Sequence, residues 1–337
     1  MTRDFFAPAE DAPHAGTWMA WPSTAAIYGG GSYYQSVQET LGRLARAIAE
    51  HEPVWMAAGA EHHALAAQLC GPEVRMVDID TDDMWARDSG PVFLIGCTRG
   101  TALADFNFNG WGGKQHHDHD ARLAGRIAKY LGCERRAAPV RGEGGGLEYD
   151  GEGTLILTES CWVNDNRNPG LSRAGIEAAL KAQLGVEVVI WIPGVRGRDI
   201  TDGHIDGSIR IVRPGLLLAN ADPDRHSEWA LAQKDALTIL RAARDARGRS
   251  FEIVEVASAV EVRSSRADFF SSYANYYVGN GAVYTPQFGD RVADARAQQT
   301  LARLFPDRKV VALDMDRIYE NGGGIHCVTQ QQPAAKT

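Results

Sequence analysis

The chain has 337 residues, 44% apolar and 23% charged, an ordinary balance for a globular protein that excludes collagen-like, coiled-coil and disordered chains. Its 35 basic and 43 acidic residues leave a net charge of −8 with no basic block, which argues against nucleic acid as a partner. No apolar stretch is long enough for a membrane helix, and residues 1–11 carry acids and Pro8 where a signal peptide needs an apolar run, so the expectation is a cytoplasmic protein with no membrane partner.

In chain order, residues 35–50 set Val37, Leu41, Leu44, Ala45 and Ile48 at helical spacing, and a β-type run follows at 54–56. A helix at 61–69 precedes a strand at 74–77, and further strands are expected at 92–95 and 102–108. Helices at 121–131 and 172–184 lead to a strand at 186–192, then to strands at 208–212 and 216–219. Helices at 227–243 and 295–304 precede strands at 251–256 and 310–313. The recurring order is helix, strand, polar loop, strand, strand, in about five units on the order of sixty to seventy residues each. This predicts an α/β architecture, a pseudo-symmetric ring in one domain spanning 1–337, with residues 1–12 and 333–337 loosely ordered.

Four loops after predicted strands collect polar residues: 85–91 with Trp85 and Asp88, 142–146 with Glu143, 202–207 with His204 and Asp206, and 321–327 with Cys327. Equivalent loops of a ring converge on one end of its axis, which would bring Asp88, Glu143, His204, Asp206 and Cys327 together. His204 and Asp206 are two apart, so an extended segment points both the same way. Taken singly, each has a plainer reading: a turn aspartate, a solvated loop acid, a buried thiol. The glycines at 322–324 would leave the Cys327 thiol accessible. Neither this run nor 144–146 has the spacing of a dinucleotide fingerprint or a P-loop.

The five cysteines, Cys70, Cys97, Cys133, Cys161 and Cys327, are too few and scattered for a disulfide scaffold, and most are expected to be small buried hydrophobes. His116, His117, Asp118, His119 and Asp120 could hold zinc, but they lack a helical histidine pair. The favoured reading is a polar lead-in to the helix near Ala121, with Asp118 or Asp120 as its N-cap and no metal.

A cysteine with a histidine suggests attack on an amide, yet three acids around a thiol disfavour its thiolate unless the substrate brings positive charge. A guanidinium does so, and carboxylates match its fork of N–H groups. Asp88 and Asp206 would grip it, Cys327 would attack its central carbon, and His204, oriented by Glu143, would pass a proton to departing ammonia and later take one from water. The covalent thiouronium is then hydrolysed to a ureido product without metal or organic cofactor.

Residues 85–91, 107–114, 203–206 and 323–331 resemble the agmatine deiminase and bacterial peptidyl-arginine deiminase family, and the resemblance runs from about Trp18 to Pro333. It implies the pentein fold, a five-bladed α/β propeller, with Cys327 as nucleophile, His204 as acid/base, Asp88 and Asp206 as guanidine-binding acids and Glu143 as partner of the histidine. It also implies that Trp85 and Trp111 line the substrate cleft, although an aromatic buried between blades is the equal alternative for each. The chain departs from the family pattern at Gly207-Ser208 and at Ser272-Tyr273-Ala274-Asn275-Tyr276-Tyr277, which concerns the pocket beyond the guanidine. The leading reading is hydrolysis of agmatine, a small cationic guanidino compound, to N-carbamoylputrescine and ammonia. The alternatives are peptidyl arginine or another guanidinoalkyl substrate, a cysteine amidase or amidinotransferase, and a guanidine-binding sensor without turnover. Family members often form homodimers, but no stretch here marks an interface.

Overall fold

The computed structural model describes residues 4–96, 100–266 and 268–335; Cys97 lies outside them. Helices form at Gly31–Ala49, His63–Cys70, Leu123–Leu131, Arg173–Leu184, Glu228–Ala242 and Arg291–Leu304. Their starts follow from local chemistry: Ser172, Ser227 and Asp290 accept hydrogen bonds from the free N–H groups of Gly175, Ala230 and Ala293. The Asp290 cap explains why the last of these begins a turn earlier than its apolar spacing suggests. The first buries Val37, Leu41, Leu44, Ala45 and Ile48, the face read from the sequence.

Among the described residues the strands form five separate sheets. Thr101–Asp105 runs antiparallel to Val92–Gly96 and parallel to Glu134–Ala137, which it reaches through the helix Leu123–Leu131. The same pattern joins Glu148–Tyr149, Thr154–Thr158 and Val188–Ile192; Ile209–Arg213, Leu216–Ala221 and Glu252–Ala257; and Tyr277–Gly279, Ala282–Pro286 and Lys309–Leu313. In the remaining sheet His14–Ala20 takes its antiparallel neighbour, Gln330–Pro333, from the far end of the chain, while Val54–Ala58 and Val74–Asp78 add on in parallel. Neighbouring sheets touch: Gln330–Pro333 lies against Val92–Gly96, Glu148–Tyr149 against Ile209–Arg213, and Tyr277–Gly279 against His14–Ala20. The strands His14–Ala20, Thr154–Thr158 and Ala282–Pro286 were not expected. They are buried almost throughout, so they lack the alternation that marks a half-exposed strand.

Of the termini expected to be loose, residues 1–3 and 336–337 lie outside the described residues; for the rest the expectation needs correcting. Phe5–Phe6 pairs with Val92–Gly96, and the Glu10 carboxylate is bonded to Arg210 and His326 in the interior. Pro333 belongs to the strand Gln330–Pro333. No helix among the described residues is long and apolar enough to cross a membrane.

The chain leaves the outer, parallel strand of each sheet and enters the next sheet through a loop, and among the described residues there are five such loops: 79–91, 138–147, 193–208, 258–276 (of which 267 is not described) and 314–329. Four are the polar loops singled out above. The other, 258–276, is their structural equivalent.

Candidate active site

These loops bring all five expected catalytic residues together. Asp88 sits in the single helical turn Ala86–Ser89, where its carboxylate accepts the Gly145 N–H at 3.1 Å and the Trp111 Nε1–H at 3.0 Å. Glu143 precedes the tight turn Gly144–Gly146, and its Oε2 lies 3.1 Å from His204 Nε2. The other ring nitrogen of His204 faces Asp88 Oδ1 at 3.6 Å. Cys327 Sγ lies 3.5 Å from Asp206 Oδ2 and receives the Asn275 Nδ2–H at 3.3 Å. Gly145 reveals the convergence: a Cβ there would meet Asp88 Oδ1 and His204 Nδ1 each at 2.7 Å, and Asp206 Oδ2 at 3.2 Å. Only glycine leaves that point open to a ligand.

Burial governs the protonation of the cluster. It pushes the Asp88 carboxyl up to about 6; the facing His204 opposes this, and the nearby charges of Asp206 and Glu143 add to it. Burial alone would depress His204, but the charge of Asp88 and bonds to Cys161 and Glu143 outweigh it and hold the ring well above the usual histidine range. Glu143 stays below the usual carboxylate range despite burial, because Arg167 Nε donates to both its oxygens, at 2.9 and 3.0 Å. Asp206 is likewise held low against its burial, by the bond and charge of His326. Burial and the charges of Asp206 and Asp88 together raise the Cys327 thiol well above its normal value, so without a counter-charge it is a poor nucleophile.

A cleft of about 820 Å³ opens over the cluster; its walls include Trp85, His204, Asp206, Cys327, Asp83 and Trp229. Trp85 lies in the wall of this cleft, whereas Trp111 is outside it and buried, the alternative open for both, and reaches the site by donating to Asp88. It does so from φ 54°, ψ 40°, a left-handed conformation costly for a bulky side chain. The glycines before Cys327 also play another part than expected. Cys327 is only 8% exposed, and a Cβ on Gly323 would lie 2.5 Å from the Trp85 ring and one on Gly324 would meet Tyr319 and Asn275, so these two glycines admit close packing rather than uncover the thiol.

The expected N-cap at Asp118 or Asp120 is not formed. Asp120 instead accepts the backbone N–H groups of Asp82 and Asp83, at 2.8 and 3.1 Å, and so ties the helix entrance to the Trp85 loop. His116 and His119 turn to Asp82 and Asp80, and His117 bonds the Gln115 carbonyl. Among the described residues the histidine run gathers no metal-ligand set; the group that does is Glu143, Cys161 and His204, whose donor atoms lie within 4.8 Å of one another. Both oxygens of that carboxylate already serve Arg167. Cys70, Cys133, Cys161 and Cys327 are free thiols, Cys133 half-buried and the others buried.

Sequence reasoning missed Asn275, Arg167, His326 and Glu10. Asn275 had a readable signal, since five units with four site loops call for a contribution from the remaining loop. Arg167 lies in the polar stretch 164–168, where nothing distinguishes a buried arginine from a solvated one.

The Porphyromonas-type peptidyl-arginine deiminase family matches residues 6–333. The chain is 40% identical to a Streptomyces coelicolor relative, with 98% of this chain and 99% of that one aligned. It is 38% identical to the agmatine deiminase of Stutzerimonas stutzeri, covering 98% and 96%. The structure of the agmatine deiminase of Enterococcus faecalis superposes with a TM-score of 0.91 at 29% identity, covering 98% of this chain and 96% of that one. The fold is thus α/β and pentein-like, and the chain belongs to the family of agmatine deiminases and Porphyromonas-type peptidyl-arginine deiminases.

Proposed function

We propose that this protein is a guanidine iminohydrolase that converts agmatine and water to N-carbamoylputrescine and ammonia, in the cytoplasm, a setting in keeping with its free thiols. Its five sheets would be the blades of a closed ring, with the five loops gathered at one end. The observation that carries the reading is the convergence of Asp88, Asp206 and His204 on the open point at Gly145, with Cys327 Sγ 3.5 Å from Asp206.

In this mechanism Asp88 and Asp206 accept hydrogen bonds from the guanidinium, and its positive charge offsets the two carboxylates that burden the thiol. The Cys327 proton leaves to solvent and the thiolate forms a C–S bond to the guanidine carbon. The protonated His204 ring gives its proton to one amino group, and the C–N bond breaks to release ammonia. The remaining thiouronium is attacked by water. His204 takes one water proton, the other goes to the departed ammonia, and breaking the C–S bond frees the ureido product and the thiolate. Glu143, anchored by Arg167, supports the charged ring. No step requires a metal or an organic cofactor.

The size of the cleft favours a second reading, peptidyl arginine: about 820 Å³ lies at the large end of the ~300–1,000 Å³ typical of small-ligand sites and exceeds what free agmatine fills. Ammonia release from agmatine, run beside citrulline formation from an arginine peptide, separates the two. The Cys327→Ala variant should still bind agmatine and trap no covalent adduct, whereas the wild type does both. Adduct-free binding by the wild type with no ammonia released would instead make it a sensor.

A further inference from the structure

His326, next in sequence to Cys327, is 1% exposed, does not line the cleft, and has no part in the mechanism above. Its Nδ1 lies 2.7 Å from Asp206 Oδ2 and its Nε2 lies 2.8 Å from Glu10 Oε2. The ring thus bridges two buried carboxylates, one at each nitrogen. The clamp is fixed from outside. The His326 N–H donates to Asn275 Oδ1 at 3.0 Å, and its carbonyl accepts from Arg87 Nε at 3.3 Å. Glu10 receives Arg210 Nη2 at 2.8 Å and the Val278 N–H at 3.1 Å, with Arg87 at 3.6 Å.

We propose that His326, clamped between Glu10 and Asp206, is a positioning residue that aims the Asp206 carboxylate at the bound guanidinium. This rests on the reading of Asp206 as a guanidine-binding acid. The Asp206 oxygen that His326 holds is also the one facing the Cys327 sulfur. The clamp therefore fixes the carboxylate oxygen beside the sulfur, and a segment near the N-terminus acts on a nucleophile near the C-terminus. Other groups share the field: His204 and Arg210 also act on Asp206, Asp88 acts with Asp206 on the thiol, and Glu148 lies within the field of His326.

The test measures kcat and KM for ammonia release from agmatine across pH, on full-length protein whose folding is checked by thermal melting. His326→Ala should lower kcat/KM about 100-fold, the effect of displacing a reacting group by about 1 Å, and mainly through KM. His326→Asn, whose amide can donate from the place of Nδ1, should recover about tenfold of this. Glu10→Gln weakens the outer jaw of the clamp, at His326 Nε2, and should raise KM severalfold with little change in kcat. Equal losses in the two His326 variants, with KM unchanged in both, would mark a merely structural residue and overturn the proposal, as would an unchanged KM in Glu10→Gln, which decides alone if neither His326 variant folds. A wild type that releases no ammonia from agmatine or an arginine peptide would overturn the functional reading, and this proposal with it.

Discussion

Replacing Gly145 with alanine adds one methyl group at the point where the proposed catalytic atoms meet. Gly145 is not among the residues with positive φ, so the backbone accepts alanine, and the added group acts only through its neighbours. Its Cβ would lie 2.7 Å from both Asp88 Oδ1 and His204 Nδ1, so to reach ordinary contact at 3.4 Å each must retreat about 0.7 Å. Displacements of about 1 Å at a reacting centre cost about 100-fold, so kcat/KM for agmatine should fall roughly 30- to 100-fold. Overpacking should cost about 1–3 kcal/mol of stability, which leaves the protein folded. Steady-state ammonia release with a parallel melting curve separates the two effects. A folded variant with kcat/KM within threefold of wild type would show that Asp88 and His204 do not meet the substrate at this point, and the mechanism would lose its geometric basis.

Two further outcomes follow from the buried charges. The Asp88 carboxyl, pushed up to about 6, is neutral below that pH and cannot grip a cation; calorimetric binding of agmatine to the Cys327→Ala variant should therefore weaken about tenfold per unit below pH 6, and flat affinity from pH 5 to 7.5 would contradict this assignment. Arg167→Met strands the buried Glu143 carboxylate without the guanidinium that donates to both its oxygens, and should cost about 3–5 kcal/mol in denaturant unfolding at neutral pH. Because Glu143 is held below its usual range, the stability it contributes is present above the unfolded carboxyl value of about 4.3 and lost as pH falls through its folded value, so wild type and variant should converge in acid. A loss under 1 kcal/mol at neutral pH would refute the ion pair's role.

Much of this protein follows from local pattern. Apolar spacing locates the helices, and Ser172, Ser227 and Asp290 set where three of them begin, because a cap satisfies N–H groups within one turn of chain. The recurrence of helix, strand and polar loop announces the units, and the polar residues of four loops mark Asp88, Glu143, His204, Asp206 and Cys327. Tertiary structure decided what these residues face, since burial and pairing arise between segments far apart in the chain. It made Trp111 a donor to Asp88 rather than a cleft wall, brought Asn275 from the remaining loop to the sulfur, and used Gly323 for packing against Trp85. It also carried Glu10 316 residues along the chain to His326. A carboxylate reads the same in sequence whether it is solvated at a loose terminus or ion-paired in the core, and only the arrangement of the sheets distinguishes the two.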